Sequence, residues 1–575
     1  MSPRSGAEFF LTPGEPTQRR YEALRCYFVD GVAATQVGAR FGYSAASLHQ
    51  WASELRAGRA QFFLSSKPGP KGPRKAGRVR HRVLELRAAD RSVTEIAAAL
   101  SAEGSPVSAQ TVWTILEAEG IERLPRRAEL QRGPPPRLAP VKARALGDWP
   151  AGTSIGCDHA GLLLLLPAIV ELGLPDLFAQ ASYPGTGVLS AWHSLGTLLL
   201  AKCARHARPS HAAALTDDAG LALALGLVAL PKATHLTSYS YRVRRESNEK
   251  LLTGLTRRLR ELSMATGDAG FNLDFHAIRH HGEDVPLEKH YLPKRSQRTR
   301  AVLTFFAQDH ASTEMVYANA DVTKSEQARE VIAFADYWQQ ATGADPGLLV
   351  FDSQLTTYAV LDELSARGIR WLTLRQRGRS MLERLAALPD SAWSTVRVER
   401  AGRYRRPQLH DELVAIKGID ARIRQIAVRN IGREEPTLLI TNDLTVPAKA
   451  LFARYAERML IENELDAYIG GFHLDALTSG LPLNVDLDTT LTVLAGNLYR
   501  LLARKLPRYQ HATPDRIWRH FLDATGTLHI TDRAVTVDLA VRTYHPVLID
   551  AGYADLSIPI PWWNDRELRF RFPPR

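Results

Sequence analysis

The sequence predicts a multidomain protein in which all-α modules precede an α/β core that carries a β-rich insertion. Two short helical triplets, separated by a segment rich in proline, glycine and basic residues, indicate the α-helical modules. Strand-like and helical runs alternate from about residue 267 onward, and this alternation indicates the core. We expect these segments: 1–64, 65–82, 83–123, 124–140, 141–265, a core formed by 266–392 and 443–508, the insertion 393–442, and the C-terminal extension 509–575.

Composition and charge restrict the class of protein. The 575 residues are 45% hydrophobic, enough for real cores, and the formal net charge of +12 favours a polyanionic partner. No apolar run approaches the roughly 18 residues of a membrane span, and the first residues lack the apolar centre of a signal peptide. The three scattered cysteines, Cys26, Cys157 and Cys203, indicate neither a disulfide framework nor a zinc cluster. We therefore expect a cytoplasmic protein with no membrane association.

The first module spans about residues 17 to 58 and is predicted to contain three helices. Ser44 is placed to cap the third helix through its hydroxyl oxygen. The pattern resembles a helix-turn-helix, with Val37 and Leu48 in its core. The side chains expected to face the major groove of DNA are Ser47, His49 and Gln50. The alternative is a small helical bundle that binds another protein.

The segment 65–82 is rich in proline, glycine and positive charge and is predicted to be a linker. Such a composition cannot bury a core, and it suits an extended arm that neutralises phosphates or enters a minor groove. Its candidate DNA contacts are Lys71, Arg74 and Lys75. A flexible linker without any DNA contact is the alternative.

A second helical triplet follows at 83–123 and repeats the first in outline. Ser92 followed by Glu95 forms a capping-box pattern at the start of its second helix. Two such modules can recognise a longer DNA site than one can. A second linker, rich in proline and arginine, is expected at 124–140, and the alanine- and leucine-rich segment 141–265 is predicted to be helical.

The predicted core has a definite order of elements. After a first strand ending at Asp274 and a basic loop from Lys294 to Arg300, we expect the strands Ala301 to Gln308 and Glu314 to Asn319. A helix, a strand ending at Asp352, a helix and a last strand ending at Leu374 complete it. The β-like alternation of residues 393–442 predicts the insertion.

Three carboxylates stand out within this core. Asp274 and Asp352 each end an apolar strand-like run, where ligand sites form in α/β sheets, and Glu462 lies in a helical segment. Two strand carboxylates and one helix carboxylate can hold two Mg²⁺ ions about 4 Å apart for phosphodiester chemistry.

The order and surroundings of these acids resemble the DDE transposases of bacterial insertion sequences. The match is to the branch with a helical Tyr-x-x-Arg-x-x-x-Glu signature, present here as Tyr455, Arg458 and Glu462. The resemblance implies an RNase H-like core and a β-rich insertion that fills the 110 positions from Asp352 to Glu462 (462 − 352). One departure is that the family signature ends in lysine seven positions past the glutamate, where this chain has Ile469.

The resemblance also implies an activity and its partners. Asp274, Asp352 and Glu462 would be the catalytic metal ligands for Mg²⁺, for which Mn²⁺ can substitute. The chain would act on double-stranded DNA, at inverted-repeat ends and at a target, as a homodimer in the bacterial nucleoid. Tyr455 and Arg458 would hold DNA phosphate.

Two arginines offer a further phosphate contact. Arg375 and Arg377 directly follow the last predicted strand of the core, close to the predicted metal site. A solvated turn is the alternative to a phosphate contact.

Helical spacing selects Glu462 among three nearby glutamates. At about 100° per residue, Arg458 and Glu462 fall roughly 60° and 20° from Tyr455, on one face of a continuous helix. On the same count Glu457 and Glu464 lie about 160° to 180° away, so we expect them to be solvated or salt-bridged.

Two alternatives to a transposase stay open. One is a catalytically inactive DNA-binding regulator derived from a transposase, and the other is a metal-dependent nuclease without strand transfer. Inverted repeats flanking the coding region would favour transposition over both.

Overall fold

A computed structural model describes most of the chain. The described residues are 7–59, 62, 76–89, 91–119, 121, 149, 151–207, 211, 214–279, 287–292, 297–353, 355–398, 406–432, 435–476 and 482–574. The chain divides into two compact units, Met1–Pro136 and Arg137–Arg575. Helices occur in both units and mixed sheets in the second, as expected of a multidomain α/β protein. The finer domain bounds remain predictions.

The first unit is helical. Its elements are α1 Glu8–Leu11, α2 Pro16–Phe28, α3 Ala34–Phe41, α4 Ala45–Arg56, α5 Ala76–Ala88, α6 Val93–Ala102 and α7 Ala109–Ala118. Val37 and Leu48 are fully buried in the core of α2 to α4, as predicted. The Ser44 hydroxyl accepts a hydrogen bond from the backbone N–H of Ser47 and caps α4. A Cβ atom on Gly38 would collide with the Tyr43 carbonyl oxygen, so the tight approach of α3 and α4 requires glycine.

The second triplet, α5 to α7, buries its own separate core. The predicted capping box is present, because Ser92 accepts from the N–H of Glu95 and Glu95 accepts from the N–H of Ser92. The prediction that the linker extends to residue 82 is wrong, since α5 already begins at Ala76. Val79 and Val83, one turn apart, are both buried in this core, and their burial explains the earlier start of the helix.

The second unit opens with a short strand that is followed by helices. These elements are β1 Ser154–Cys157, α8 Leu166–Leu172, α9 Leu174–Gln180, α10 Ala191–Cys203, α11 Ala219–Ala222, α12 Ala233–Tyr239 and α13 Arg245–Glu261. The expectation of helices alone in 141–265 is therefore wrong at β1. This strand pairs antiparallel with β12, Gly526–Ile530, in the C-terminal extension. Its partner lies more than 350 residues away, beyond the reach of local sequence patterns.

A sheet of ten strands forms the centre of the second unit. Its strands are β2 Phe271–Arg279, β3 Lys289–Leu292, β4 Gln297–Asp309, β5 Met315–Asn319, β6 Leu348–Val350, β7 Arg370–Leu374, β8 Ser394–Thr395, β9 Gln408–Val414, β10 Ile423–Arg429 and β11 Thr437–Thr441. The order is β3-β4-β2-β6-β7-β11-β10-β9-β8. The tenth strand, β5, pairs antiparallel with Phe305 to Gln308 of β4. Because β11 pairs with β7, the β-rich segment 393–442 continues the core sheet.

Two details of the first strands differ from the prediction. Asp274 does not end β2, which continues to Arg279 because all nine of its residues pair with β4. The predicted basic loop before Ala301 is partly strand, since β4 begins at Gln297 and pairs there with β3. The two corrections have one cause, the length of β4.

Helices cover this sheet and join it to the C-terminal extension. They are α14 Glu330–Thr342, α15 Tyr358–Ala366, α16 Arg379–Ala386, α17 Ala448–Ala456, α18 Met459–Phe472 and α19 Pro482–Lys505. The 24-residue α19 packs against β5, α10 and α13. A single large hydrophobic core extends from these helices to the C-terminal strands, including Phe271, Trp371 and Trp563.

The C-terminal extension forms a second sheet. Its remaining elements are α20 Pro514–Ile517, β13 Ala534–Leu539, α21 His545–Asp550, β14 Ile558–Ile560 and β15 Arg566–Arg571. The sheet order is β1-β12-β13-β15-β14. Pro559 lies in β14, which is an edge strand, where a residue without a backbone N–H is tolerated.

The segment from Tyr455 to Glu462 is not one continuous helix. α17 ends at Ala456 and α18 begins at Met459, with Glu457 and Arg458 between them. Tighter i→i+3 hydrogen bonds cross the break, from Arg458 N–H to the Tyr455 carbonyl and from Ile461 N–H to the Arg458 carbonyl. The expectation of a continuous helix is therefore wrong, and side-chain positions here follow from the break.

Within the described residues, no single helix combines the length and the apolar composition needed to cross a bilayer. The helical segments Ala160–Leu172 and Leu174–Gln180, which are bent by 56° relative to each other, reach that length and apolar composition only when they are counted together.

Candidate functional site

Asp274 and Asp352 lie at the same level of two neighbouring strands. β2 and β6 are parallel, and their last paired residues are Asn272 and Val350. Each aspartate lies two residues beyond its member of that pair. Neighbouring parallel strands are about 4.8 Å apart and direct equivalent side chains to the same face. The topology therefore brings the two carboxylates to one place at the carboxyl end of β6.

Arg458 joins Glu462 to this pair. At the start of α18, Arg458 Nη1 lies 3.5 Å from Asp274 Oδ2, and Nη2 donates a hydrogen bond of 2.6 Å to Glu462 Oε1. The arginine side chain is only 11% exposed, whereas that of Glu462 is 42% exposed. One guanidinium thus bridges the carboxylate of a strand and the carboxylate of a helix.

Tyr455 lies near Arg458 and completes the group. The guanidinium carbon lies 5.9 Å from the centre of the Tyr455 ring. Burial raises the pKa of the Tyr455 hydroxyl and the negative charge of Asp352 raises it further, although Arg458 acts in the opposite direction. The phenol stays protonated at neutral pH and can donate a hydrogen bond. The three signature residues therefore lie together despite the break in the helix.

The Asp274 carboxylate experiences repulsion from its neighbours. Burial raises its pKa to about 6, and the nearby Glu462 and Asp352 raise it, against the lowering effect of Arg458. The backbone N–H of Phe275 donates to Asp274 Oδ1 at 3.0 Å and favours the charged form. A partly buried cluster of like charges is an environment that a bound cation stabilises.

The chemical type of these side chains suits a divalent metal. Three carboxylates from two neighbouring strands and one helix are the hard oxygen donors that Mg²⁺ and Mn²⁺ prefer. Across the described residues, however, no group of three or more His, Cys, Asp or Glu side chains is arranged closely enough to hold an ion. Glu462 directs one of its two oxygens to Arg458, so a metal that binds this oxygen would compete with the guanidinium.

A cavity of about 710 Å³ opens at Ser353, the residue after Asp352, and three arginines and two glutamates form its charged lining. It begins at Ser353, whose hydroxyl donates to Asp352 Oδ1 at 3.1 Å, and both predicted arginines line it. Arg375 donates to Gln425 Oε1 at 2.6 Å, and Arg377 pairs with Glu435 at 2.8 Å. Arg379, whose side chain is 93% exposed, lines the same cavity. The structure therefore places Arg375 and Arg377 in the cavity that Ser353, the neighbour of Asp352, also lines.

Arg454 is a neighbour that sequence reasoning missed. Its Nη1 donates to Asn272 Oδ1 at 2.7 Å, and Asn272 in turn donates to Gln308. Asn272 precedes Asp274 by two positions on β2 and therefore shares its face of the strand. The spacing of four residues between Arg454 and Arg458 was visible in the sequence, but the contact with β2 was not.

The two neighbouring glutamates both have side-chain partners of their own. Glu457 lies 3.0 Å from His310 Nε2, and Glu464 accepts from Arg500 at 3.0 Å. The expectation that each is solvated or salt-bridged is confirmed. Glu464 is salt-bridged and only 15% exposed, whereas Glu457 is 42% exposed and contacts a histidine whose pKa is lowered, chiefly by burial. Ile469, at the position of the family lysine, packs against the hydrophobic core.

In the first unit, the three predicted groove residues lie on α4. Ser47 is engaged with the Ser44 hydroxyl, the exposed His49 ring lies 5.9 Å from that of Tyr27, and Gln50 donates to Glu54 at 3.2 Å. The other predicted contacts, Lys71, Arg74 and Lys75, lie outside the described residues.

Comparisons with known proteins identify no relative: no protein-family model matches the chain, and no curated protein matches it.

Proposed function

We propose that this chain is a DNA transposase that cuts DNA at the ends of its element and joins the resulting 3′-hydroxyl to a target. The observation that carries the proposal is the convergence of the three acids. Asp274 and Asp352 lie at one level of parallel strands, and one arginine connects Asp274 to Glu462. This convergence, together with the order of strands and helices around it, supports an RNase H-like core.

Asp274, Asp352 and Glu462 would hold Mg²⁺, or Mn²⁺ in its place. A bound divalent ion supplies an activated water or hydroxyl nucleophile and stabilises the charge on the leaving oxygen. Arg375 and Arg377 line the cavity beside Asp352, where charge-assisted hydrogen bonds would fix the DNA backbone. Tyr455 and Arg458 would hold a second phosphate next to the carboxylates. These contacts position the bond in line with its nucleophile.

The first unit would supply recognition of double-stranded DNA. The exposed side chains of His49 and Gln50 on α4 would contact base edges, and Ser47 would lie near the DNA at the start of that helix. Lys71, Arg74 and Lys75 would neutralise phosphates between the two helical triplets. A homodimer would bring the two inverted-repeat ends together with target DNA, in the bacterial nucleoid.

A cleavage assay with matched variants tests this function. The substrate is DNA that carries the sequences flanking the coding region, and the variants are Asp352→Asn and the control Asp345→Asn. Asp345 precedes the same strand but pairs with Arg367, away from the cluster. We expect Mg²⁺-dependent cleavage and joining by the wild type and the control. We expect a loss of at least about 100-fold in Asp352→Asn, since a metal ligand has been removed.

The alternatives give different outcomes in the same assay. A catalytically inactive regulator would bind the DNA without metal-dependent cleavage, and a nuclease would cleave it without forming a joined product. Cleavage that persists in excess EDTA, or in Asp352→Asn, would overturn the assignment of the metal ligands.

A further inference from the structure

Arg458 contacts two of the three carboxylates that are proposed to bind a metal. Its two terminal nitrogens engage Asp274 Oδ2 at 3.5 Å and Glu462 Oε1 at 2.6 Å, and its side chain is 11% exposed. The same two carboxylates are predicted metal ligands. The protein thus supplies its own cation to this part of the site.

We propose that Arg458 is an internal counter-ion that competes with the divalent metal for Asp274 and Glu462. The metal then binds tightly only when a DNA phosphate has drawn the guanidinium away. This inference rests on the proposed function, because it assumes that the three acids hold the metal.

The competition follows from geometry and charge. A divalent cation binds carboxylate oxygens at about 2.0 to 2.6 Å, which the hydrogen bond from Arg458 Nη2 to Glu462 Oε1 opposes. A guanidinium held beside the bound ion would also repel it, and solvent screens this repulsion weakly in a mostly buried site. Metal binding at these two oxygens therefore competes with Arg458, and binding through the second oxygen of each carboxylate would still set two cations side by side.

A phosphate is suited to take the arginine. The guanidinium fork matches two phosphate oxygens, and such bidentate contacts are among the strongest hydrogen bonds in proteins. Arg458 Nη1 is buried and has no hydrogen-bond partner within the described residues, being only in ion-pair range of Asp274. A phosphate oxygen would satisfy this donor. DNA binding would release the carboxylates and at the same time place the phosphate beside them.

The coupling is reciprocal. If DNA raises the affinity for the metal by some factor, the metal must raise the affinity for DNA by the same factor. The site would remain poorly loaded in free protein and would become competent on DNA, which limits cleavage away from the bound end.

Metal binding in the absence of DNA tests the proposal without any activity measurement. Binding of Mn²⁺ to the full chain is measured by electron paramagnetic resonance for the wild type, Arg458→Gln, Arg458→Lys and Arg329→Gln. Arg329 forms an exposed pair with Glu363, so its substitution removes the same charge elsewhere. We expect Arg458→Gln to bind Mn²⁺ about tenfold more tightly than the wild type, within the usual range of coupling between sites. Arg329→Gln should bind as the wild type does.

Arg458→Lys keeps the positive charge and provides a second variant in case Arg458→Gln does not fold. An ammonium lacks the planar fork that reaches both carboxylates, so we expect Mn²⁺ affinity between those of the wild type and Arg458→Gln. A duplex of the flanking DNA is then added, and the Mn²⁺ that binds to the DNA alone is subtracted. The duplex should strengthen Mn²⁺ binding to the wild type more than to Arg458→Gln. Equal affinities of the wild type and both Arg458 variants, or equal effects of DNA on them, would overturn the proposal.

A second substitution separates this failure from failure of the proposed function. Asp352→Asn is combined with Arg458→Gln, and Mn²⁺ affinity should fall if the ion is bound at the three acids. If it does not fall, the metal lies elsewhere and both the function and the inference are overturned. If it falls while Arg458→Gln shows no gain over the wild type, only the inference is overturned.

Discussion

Glu464 on α18 accepts a hydrogen bond of 3.0 Å from Arg500 on α19, two positions after Glu462 on the same helix. The Glu464 side chain is mostly buried, while that of Glu462 is partly exposed and faces Arg458. The two glutamates therefore have separable roles. One attaches α18 to α19, and the other contacts Arg458 and is a metal ligand in the proposed function.

The first prediction separates these roles by matched substitutions. Glu464→Gln removes the charge that compensates Arg500 and should lower the free energy of unfolding by about 1–3 kcal/mol, as for a buried pair that has been deprived of one partner. The folded fraction should retain most of the cleavage activity. Glu462→Gln should abolish cleavage with little loss of stability. Denaturation curves and cleavage rates per folded molecule decide the matter, and an inactive Glu464→Gln beside an active Glu462→Gln would reverse the assignment.

A second prediction concerns Glu314, a fully buried acid near the same arginines. Burial raises the pKa of its carboxyl to about 8, against the lowering effect of Arg500 and Arg504, which lie 3.8 and 3.9 Å from Oε1. The folded protein then holds a proton that the unfolded chain releases above about pH 4.5. The contribution of Glu314 to stability should therefore fall as the pH rises from about 4.5 to about 8, and stay constant outside that window.

Glu314→Gln removes this titration and isolates it from other groups. The melting temperature of Glu314→Gln relative to the wild type should increase as the pH rises through the window. Glu363→Gln, at an exposed pair, serves as the control and should show no such trend. A difference between Glu314→Gln and the wild type that is constant with pH would contradict the raised pKa.

A third prediction follows from the contact between Arg454 and Asn272. Within the described residues, Arg454 Nε and Nη2 are buried without a hydrogen-bond partner, so Asn272 supplies an important acceptor for this guanidinium. Asn272→Ala should lower the free energy of unfolding by about 1–3 kcal/mol, because it leaves buried polar groups unsatisfied. Asn442→Ala serves as a comparison, because it removes a side-chain amide that makes a polar contact elsewhere in the sheet. Urea denaturation that detects no destabilisation of Asn272→Ala would show that water or another acceptor satisfies Arg454.

Local sequence predicted those features whose causes are local. The caps formed by Ser44 and Ser92 involve residues only three positions away, and both were predicted. The length of β2 was not, because it depends on pairing with β4 some 30 residues away. The break after α17 was missed for the same reason, since Glu457 and Arg458 contact His310 and Asp274.

The candidate site follows the same division. The sequence identified Asp274, Asp352 and Glu462 by type and order, and parallel pairing of β2 and β6 places the two aspartates at one level. Helical spacing anticipates the i,i+4 contact of Arg458 with Glu462, but the contact of Arg458 with Asp274 depends on how α18 lies against β2. The contribution of Arg454 depended on a strand almost 200 residues earlier in the chain.

A fourth prediction addresses the cavity at Ser353, next to Asp352, that Arg375 and Arg377 line. If Arg375 and Arg377 contact phosphates, replacing both by Gln should weaken DNA binding for all sequences alike. Removal of each phosphate contact should reduce the slope of log K against log salt by about 0.9. The charge-matched control is Arg329→Gln together with Arg258→Gln, both at exposed ion pairs. An unchanged salt slope in the Arg375/Arg377 variant would assign the cavity arginines to their partners Gln425 and Glu435 alone.

The last prediction tests recognition by the first unit. Because residues 1–136 form their own compact unit, a chain that begins at residue 137 should stay folded. It should lose sequence-specific binding to the element's ends but keep non-specific, salt-sensitive binding through the core.

In the full chain, His49→Ala with Gln50→Ala should weaken specific binding by about 1–3 kcal/mol for each base edge that is no longer bound, without changing non-specific binding. Arg56→Ala, at the end of α4, should lack this selective effect if base edges meet the helix near its start. Footprinting and competition with random-sequence DNA measure the two kinds of binding separately. If the chain lacking residues 1–136 protects the ends as the full chain does, sequence recognition must reside in the second unit.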